Sequence, residues 1–299
     1  MKVLFFVENN WAFGKIHNEL IKVLYPEIYC DIICYTKSYT IENFDLLKEK
    51  YDYFISTPFA CKVLNTNYNI PYEKLIGIAH SDIDIHSIVK SPEDKDFFNK
   101  IKGYCVINST LIKISISYGI ERIPEILRIG TFSKNYPKNI NEQVCNIGYF
   151  GSYNRSFDRG FDIKRGHLVK SVAEITNLPF VHRTDINFLA SDMLYNNISL
   201  YMFSSLLEGL PTTAIEAMAC GIPVLGTDVG IFSEIYKNGG GTILPFESHK
   251  FIQSAVDKIN QFKQNPDLYK IACELSYEEG RRNDWSCFRG DWINYIISL

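Results

Sequence analysis

The sequence has no Cys-x-x-Cys pair, although it contains eight cysteines among its 299 residues. Several of them lie in apolar stretches such as "CDIIC" and "GYCVINS". In such surroundings a cysteine behaves as a small buried hydrophobe. The cysteine pattern therefore predicts reduced, structural thiols in a cytoplasmic protein.

The sequence also lacks an excess of positive charge and a long apolar run. Its formal net charge is −3, which gives no electrostatic reason to expect a nucleic acid as partner. No apolar run approaches the roughly 20 residues that span a bilayer, and "MKVLFFVENNW" lacks the pattern of a signal peptide. We expect a cytoplasmic protein with at most peripheral contact at the inner face of a membrane.

Short apolar stretches alternate with stretches of helical periodicity along the whole chain. "KVLFFV" at residues 2–7 is typical of a strand buried on both faces, and residues 14–25 have the apolar spacing of a helix. The alternation predicts parallel sheets covered by helices. A polar stretch near residues 133–144 interrupts it, and a second alternating series follows. The chain is thus predicted to form two α/β domains, with ligands beyond the carboxyl ends of the strands.

The stretch "LLEGLPTTAIEAMACGIPVLGTDVGIFSE" contains two glutamates, Glu208 and Glu216. Pro211 suits the first position of a helix, and we predict that this helix runs from about Thr212 to Cys220. Its first turn offers backbone N–H groups and a positive dipole end, which favour a phosphate or diphosphate.

The two carboxylates then lie on either side of the predicted anion site. A carboxylate can accept hydrogen bonds from two adjacent sugar hydroxyls, so one glutamate can hold a ribose and the other a hexose. The spacing alone is equally compatible with another interpretation, in which Glu208 caps the helix and Glu216 is a solvated surface charge.

The segment "EGLPTTAIEAMACGIPVLGTDVGIFSEI" resembles the donor-site signature of family 4 glycosyltransferases of the GT-B fold. The shared features are a glutamate, seven residues, a second glutamate, "AMACGIPV" and a Gly-x-x-x-Glu-Ile segment. Residues 103–130 and "GYFGSYNR" carry weaker similarity to the same family. The resemblance implies two Rossmann-like doubly wound domains that face a cleft.

The resemblance also implies a division of the chain. Residues 1–135 would form the acceptor-side Rossmann-like domain, and residues 144–280 would form the domain that binds the nucleotide sugar. Residues 281–299 would form a helix that packs back on the first domain, with Trp285 and Trp292 as packing residues.

The resemblance assigns roles to the residues of the signature. Glu216 would hold the ribose hydroxyls and Glu208 would contact the transferred sugar. The residues between them would hold the phosphates or the sugar: Gly209, Leu210, Pro211, Thr212 and Thr213.

A basic pair clamps the diphosphate in the family, and here the sequence departs from the pattern. Ser152 stands where an arginine would follow Gly151, and the basic residues are spread over "NRSFDRGFDIKRG". We assign the first position to Arg155 and the second to Arg165. The Arg159-Gly160 pair and Lys164 remain as alternatives.

The first predicted domain supplies two further candidates. Gly14 opens a helix after the first strand, so backbone amides there can approach the donor or the acceptor. Its loop has one glycine where the family has several, and a plain turn is the alternative. His80 follows a strand and matches by position a family histidine near the transferred sugar, whereas a structural histidine is the ordinary alternative.

Asp82 and Asp84 match the Asp-x-Asp metal motif of GT-A transferases. We interpret them as a solvated loop pair, because the signature is that of GT-B enzymes, which generally need no metal. Neither a metal nor another cofactor is expected beyond the donor substrate.

The resemblance therefore implies a metal-independent retaining glycosyltransferase that moves a sugar from a nucleotide-diphosphate sugar to a glycan or glycolipid, in surface polysaccharide synthesis. The alternative is a catalytically inactive GT-B protein that binds nucleotide sugars or has a regulatory role. The donor base, the sugar and the acceptor stay open.

Overall fold

The structure is a computed structural model, and the residues it describes are 1–8, 12–35, 44–89, 92–136, 138, 141–151, 157–158, 161–183, 195–236 and 239–299. They form two compact units. One unit comprises residues 1–130 and 285–299, and the other comprises residues 131–284.

The described strands are β1 (Lys2–Glu8), β2 (Tyr29–Tyr35), β3 (Tyr53–Ser56), β4 (Leu75–Ala79), β5 (Gly103–Val106), β6 (Glu125–Ile126), β7 (Ile147–Tyr149), β8 (Phe157–Asp158), β9 (Phe161–Asp162), β10 (Phe180–His182), β11 (Leu200–Phe203), β12 (Val224–Thr227) and β13 (Gly241–Leu244).

The described α-helices are α1 (Ala12–Leu24), α2 (Asp45–Lys48), α3 (Pro58–Tyr68), α4 (Asp82–His86), α5 (Pro92–Lys100), α6 (Ser109–Ser117), α7 (Gly166–Ile175), α8 (Thr212–Ala219), α9 (Phe232–Ile235), α10 (Ser248–Gln264), α11 (Pro266–Arg282) and α12 (Trp285–Ser298). Single 3-10 turns occupy Tyr72–Lys74 and Ser133–Asn135. Among the described residues, no helix combines the length and the apolar character that crossing a bilayer requires.

The first unit contains a six-stranded parallel sheet in the order β2-β1-β3-β4-β5-β6. The core of β1, Val3 to Val7, is at most 3% exposed, which confirms the predicted strand with two buried faces. Helix α12 belongs to the same unit: Trp285 Nε1 donates to Glu19 Oε2 at 2.7 Å, and Trp292 Nε1 donates to the Arg128 carbonyl at 2.7 Å. Both tryptophans are buried.

The second unit contains a five-stranded parallel sheet in the order β10-β7-β11-β12-β13. The predicted α/β class with two parallel sheets is thus confirmed. Parallel strands end at a common edge, and the loops after β11, β12 and β13 therefore meet there.

Helix α8 lies between this sheet and α11, and a glycine of α11 allows the two helices to pack closely. A Cβ atom on Gly280 of α11 would lie 2.3 Å from the Ala219 amide nitrogen. The two helices therefore approach each other more closely than any larger residue would allow. Since α8 carries Glu216, this contact fixes the depth of that side chain in the unit.

Candidate functional site

Polar groups of three strand ends meet at the carboxyl edge of the second sheet. Ser204 and Ser205 directly follow β11, Thr227 ends β12, and Phe246 follows β13. The Thr227 hydroxyl donates to the Ser205 carbonyl at 2.5 Å. The loop after β11 is therefore tied to the neighbouring strand at the point where the Glu208 segment begins.

Glu208 lies in this loop and contacts a lysine from another loop. Its Oε1 atom forms an ion pair with Lys164 Nζ and accepts a hydrogen bond from Ser205 Oγ at 2.8 Å. The side chains of Lys164 and Glu208 are 30% and 19% exposed. The structure thus places a carboxylate and an ammonium side by side, both accessible to a ligand.

Gly230 supports the same loop from the β12 side. It has φ of +59°, and a Cβ atom there would lie 2.3 Å from the Gly209 carbonyl oxygen. Only glycine combines this left-handed backbone with so close an approach. The backbone of Glu208 and Gly209 is therefore positioned by direct packing against the 229–230 turn.

Helix α8 begins at Thr212, with Pro211 as the residue before its first turn. The sequence predicted free amides there, and the structure shows several of them already bonded. The Thr212 amide donates to the Leu210 carbonyl, and those of Ala214 and Ile215 donate to the Pro211 carbonyl. Fewer first-turn amides are thus left for an anion than the sequence indicated.

Thr213 presents its side chain in a defined orientation. The hydroxyl of the buried Tyr201 donates to Thr213 Oγ1 at 2.6 Å. Both Thr212 and Thr213 are half-buried, so the first turn of α8 is partly accessible.

Glu216 lies on α8 and is 5% exposed. The hydroxyl of Tyr195, itself 1% exposed, donates to Glu216 Oε2 at 2.6 Å. The interpretation of Glu216 as a solvated surface charge is therefore wrong. A buried carboxylate is costly unless it is hydrogen-bonded, and here the Tyr195 hydroxyl provides such a bond.

Arg165, one of the two predicted diphosphate ligands, is 8% exposed. Its Nε donates to the Ser204 carbonyl at 2.7 Å, and its Nη1 donates to the Phe246 carbonyl at 2.5 Å. Burial lowers the pKa of the guanidinium from its usual value. Two of its donor atoms are thus bonded to the ends of β11 and β13, so the side chain connects these strands to the loop before α7.

The backbone around Arg165 explains how the neighbouring lysine is oriented. Arg165 has φ of +47° directly before α7, and Asp162 Oδ1 accepts the amides of both Lys164 and Arg165. Arg165 is held inward while Lys164 reaches Glu208. Among the predicted basic ligands that the structure describes, Lys164 is the one that forms an ion pair with a signature carboxylate, that of Glu208. Arg155 and its rival Arg159 lie outside the described residues.

Gly14 and His80 belong to the first unit. Gly14 lies in the first turn of α1, which begins two residues earlier, and its carbonyl accepts the Asn18 side-chain amide at 2.7 Å. His80 follows β4 and is 4% exposed, with its ring centroid 5.3 Å from that of His17. Burial, and next the nearby His17, hold the pKa of His80 well below its usual value. Its imidazole is therefore neutral at pH 7.

Asp82 and Asp84 are not a solvated loop pair, contrary to the sequence interpretation. They lie in the first turn of α4, where Asp84 Oδ2 accepts the amides of His80 and Ser81 at 2.8 Å each. Asp82 Oδ1 accepts a hydrogen bond from the Tyr118 hydroxyl. The spacing Asp-x-Asp here reflects a helix amino terminus, since Asp84 forms a capping box with Ser81.

Sequence reasoning did not identify three residues that shape the site. Tyr195 and Thr227 gave no signal, because their contacts join segments distant in sequence. Ser205 had one available signal, its position directly after a predicted strand, where ligand-binding loops of parallel sheets begin.

Comparison with known proteins agrees with this geometry. The two parallel α/β sheets are those of GT-B glycosyltransferases. Residues 181–278, which include both signature glutamates, match the family described as Glycosyl transferases group 1. This match agrees with the resemblance of the signature segment to family 4 glycosyltransferases.

Two curated relatives share short stretches with the chain. The O-antigen chain mannosyltransferase RfbU of Salmonella typhimurium is 34% identical over 82 residues, which cover 27% of this chain and 22% of that protein. The lipopolysaccharide core biosynthesis mannosyltransferase LpsB of Rhizobium meliloti is 44% identical over 45 residues, or 15% of this chain and 13% of that protein. The matched stretches thus span less than a quarter of either relative.

Solved structures resemble the chain over its whole length. Sucrose-phosphate synthase from Thermosynechococcus elongatus has a TM-score of 0.70 at 12% identity, covering 100% of this chain and 99% of that one. Anabaena HepE, solved in complex with UDP-glucose, has a TM-score of 0.67 at 16% identity and full coverage of both chains. At such identities these similarities establish the fold.

Proposed function

We propose that this protein is a retaining glycosyltransferase that moves a sugar from a nucleotide-diphosphate sugar to a hydroxyl of a glycan or glycolipid. The observation that carries the proposal is the buried Glu216 on α8, in the same loop–helix segment as Glu208, whose carboxylate forms an accessible ion pair with Lys164. This segment lies within the region that matches the group 1 glycosyltransferases.

The proposed roles follow from the chemistry of each group. Glu216 accepts the two ribose hydroxyls, because a buried, oriented carboxylate is a rigid acceptor for a diol. Glu208 accepts a hydroxyl of the transferred sugar. Lys164 neutralises charge that develops on the diphosphate as it departs, the main electrostatic task in such a transfer.

The relatives support the class of reaction and of product. Both curated relatives are named as mannosyltransferases, one of the O-antigen chain and one of lipopolysaccharide core biosynthesis, and a structural neighbour was solved with UDP-glucose. We therefore propose an acceptor among the intermediates of surface polysaccharide assembly, and a nucleoside diphosphate as the leaving group.

A thermal-shift screen tests the donor site. The wild-type protein is measured with UDP, GDP, ADP, TDP and CMP and their sugars, with EDTA in half of the wells. A ligand at 100 times its Kd stabilises the folded state by about 2.7 kcal/mol. We expect one nucleoside diphosphate and its sugar to stabilise the protein, with or without EDTA.

The variant Glu216→Ala runs in parallel with Glu174→Ala as its matched control. Glu174 lies on α7 with a side chain 67% exposed, so its removal should leave the shift intact. The shift should disappear in Glu216→Ala. A protein that no nucleotide stabilises, or a full shift in Glu216→Ala, would overturn the proposed donor site.

A further inference from the structure

The hydrogen bond between Tyr195 and Glu216 has no counterpart in the sequence signature. The donor and acceptor atoms are 2.6 Å apart, and the residues are 1% and 5% exposed. Tyr195 lies before β11 in the chain, and Glu216 lies after it, on α8. The contact therefore links the carboxylate that is proposed to bind the ribose to a different part of the second unit.

Aromatic packing holds Tyr195 in place. Its ring centroid lies 5.2 Å from that of Phe150, 5.9 Å from that of Tyr136 and 6.4 Å from that of Tyr201. Edge-to-face rings in a close-packed interior leave little rotational freedom. The phenolic oxygen is therefore a fixed point against which the Glu216 carboxylate is oriented.

The tyrosine keeps its proton under all ordinary conditions. Burial, and next the charge of Glu216, raise the pKa of Tyr195 well above its usual value. Its hydroxyl thus remains a hydrogen-bond donor to the carboxylate. A hydrogen bond to a charged acceptor is shorter and stronger than one between neutral groups.

We propose that Tyr195 is a positioning residue for the nucleotide, which fixes the Glu216 carboxylate so that it recognises the paired hydroxyls of a ribose. The inference rests on the proposed function, in which the Glu216 carboxylate accepts hydrogen bonds from the ribose hydroxyls. A carboxylate that is already oriented loses little freedom on binding, so more of its hydrogen-bond energy appears as affinity. Without the tyrosine, the carboxylate loses this orienting contact, and its selectivity for a diol should decline.

The test compares ribose with deoxyribose in each variant. Affinities of UDP, GDP and ADP and of their 2′-deoxy forms are measured by calorimetry for the wild type, Tyr195→Phe and Tyr269→Phe. Tyr269 is the matched control: it is buried in the same unit, and its hydroxyl donates to the Ser199 carbonyl at 2.6 Å. Each substitution removes one buried hydroxyl and keeps the ring, and the unfolding midpoint of each variant is recorded first.

We expect the wild type to prefer the ribonucleotide by about tenfold or more, as for one hydrogen bond to a charged group. The preference should decrease several-fold in Tyr195→Phe and stay unchanged in Tyr269→Phe. A general loss of stability does not produce this pattern, because it weakens both nucleotides alike. A wild-type preference retained in Tyr195→Phe would overturn the inference while leaving the donor site intact.

A double variant provides a second measurement. In the Glu216→Gln background, Tyr195→Phe should cause no further change in the ratio, because the carboxylate that it orients is gone. An independent additional change would show that Tyr195 acts by another route. If the wild type binds no nucleoside diphosphate at all, the proposed function fails first and the inference fails with it.

Discussion

Lys164 and Glu208 are 44 residues apart in sequence, and their side chains form an ion pair at the carboxyl edge of the second sheet. The pair is partly exposed, and Ser205 donates to the same carboxylate oxygen. Partly exposed ion pairs add little to stability because water screens them and their side chains lose freedom. The position of the pair is therefore better explained by a role in binding.

This explanation predicts a contrast between stability and turnover. Lys164→Met and Glu208→Gln should each change the free energy of unfolding by no more than about 1 kcal/mol. Each should lower the transfer rate by about two orders of magnitude, as for other lost transition-state contacts. Urea unfolding and steady-state kinetics of both variants check this. Large destabilisation together with an unchanged rate would make the pair structural.

Gly230→Ala should disturb the Glu208 loop. The substitution places a Cβ atom 2.3 Å from the Gly209 carbonyl in a backbone with φ of +59°. A left-handed backbone alone costs an alanine about 1 kcal/mol or more, and the clash adds to it. We expect lower stability in urea and slower transfer.

Gly290→Ala is the control for Gly230→Ala. Gly290 lies on α12, and a Cβ atom there would meet nothing within 4 Å. Alanine should leave the stability unchanged or raise it by up to about 1 kcal/mol, since it favours a helix. If both variants unfold at the wild-type midpoint, the contact of Gly230 with Gly209 is not tight in solution.

Arg165→Lys should destabilise the second unit. The guanidinium bonds two carbonyls on different strand ends, and a lysine ammonium does not reproduce that planar, divergent geometry. The expected loss is about 1–3 kcal/mol, the range for hydrogen bonds of buried charged groups. Urea unfolding measures it, with the exposed Arg281→Lys as control. Equal stability of the two variants would restore a purely ligand-binding role for Arg165.

Asp84 should make stability pH-dependent in a defined window. Burial raises the pKa of Asp84 to about 6, against the opposing hydrogen bonds from the amides of His80 and Ser81. The folded state therefore holds this proton more tightly than the unfolded chain. The stabilising contribution of protonated Asp84 to the free energy of unfolding is present below about pH 4 and is lost as the pH rises to about 6.

Asp84→Asn provides the comparison, because asparagine does not titrate. The free energy of unfolding of the wild type, relative to that of Asp84→Asn, should fall between pH 4 and pH 6. The nearby Asp82 and His80 are common to both proteins and largely cancel. A relative stability that rises over this interval would mean that the backbone hydrogen bonds outweigh burial.

The periodicity of the sequence predicted much of the fold because it records burial directly. Helix α1 (Ala12–Leu24) lies close to the predicted residues 14–25, and β1 extends the predicted strand by one residue. The helix of the signature was predicted from Thr212 onward on the basis of Pro211, and it begins there. Local chemistry alone determines these features.

The environment of the site residues depended on contacts that local patterns do not encode. Spacing alone left the burial of Glu216 open, because its depth is set by α11 and its partner is Tyr195. Arg165 reads as a basic residue before a glycine, and its left-handed backbone directs the guanidinium to carbonyls of two other strands. Asp82 and Asp84 match a metal motif, although the short helix that starts there accounts for them.

Release of nucleoside diphosphate is the most direct measure of glycosyl transfer by this protein. Each nucleotide sugar that stabilises the protein is incubated with it, in EDTA, with and without a crude glycolipid acceptor, and the released diphosphate is measured. We expect release by the wild type and by Glu174→Ala, and a rate lower by about two orders of magnitude or more in Glu216→Ala. Binding without release in the wild type, or full release by Glu216→Ala, would contradict the proposed function.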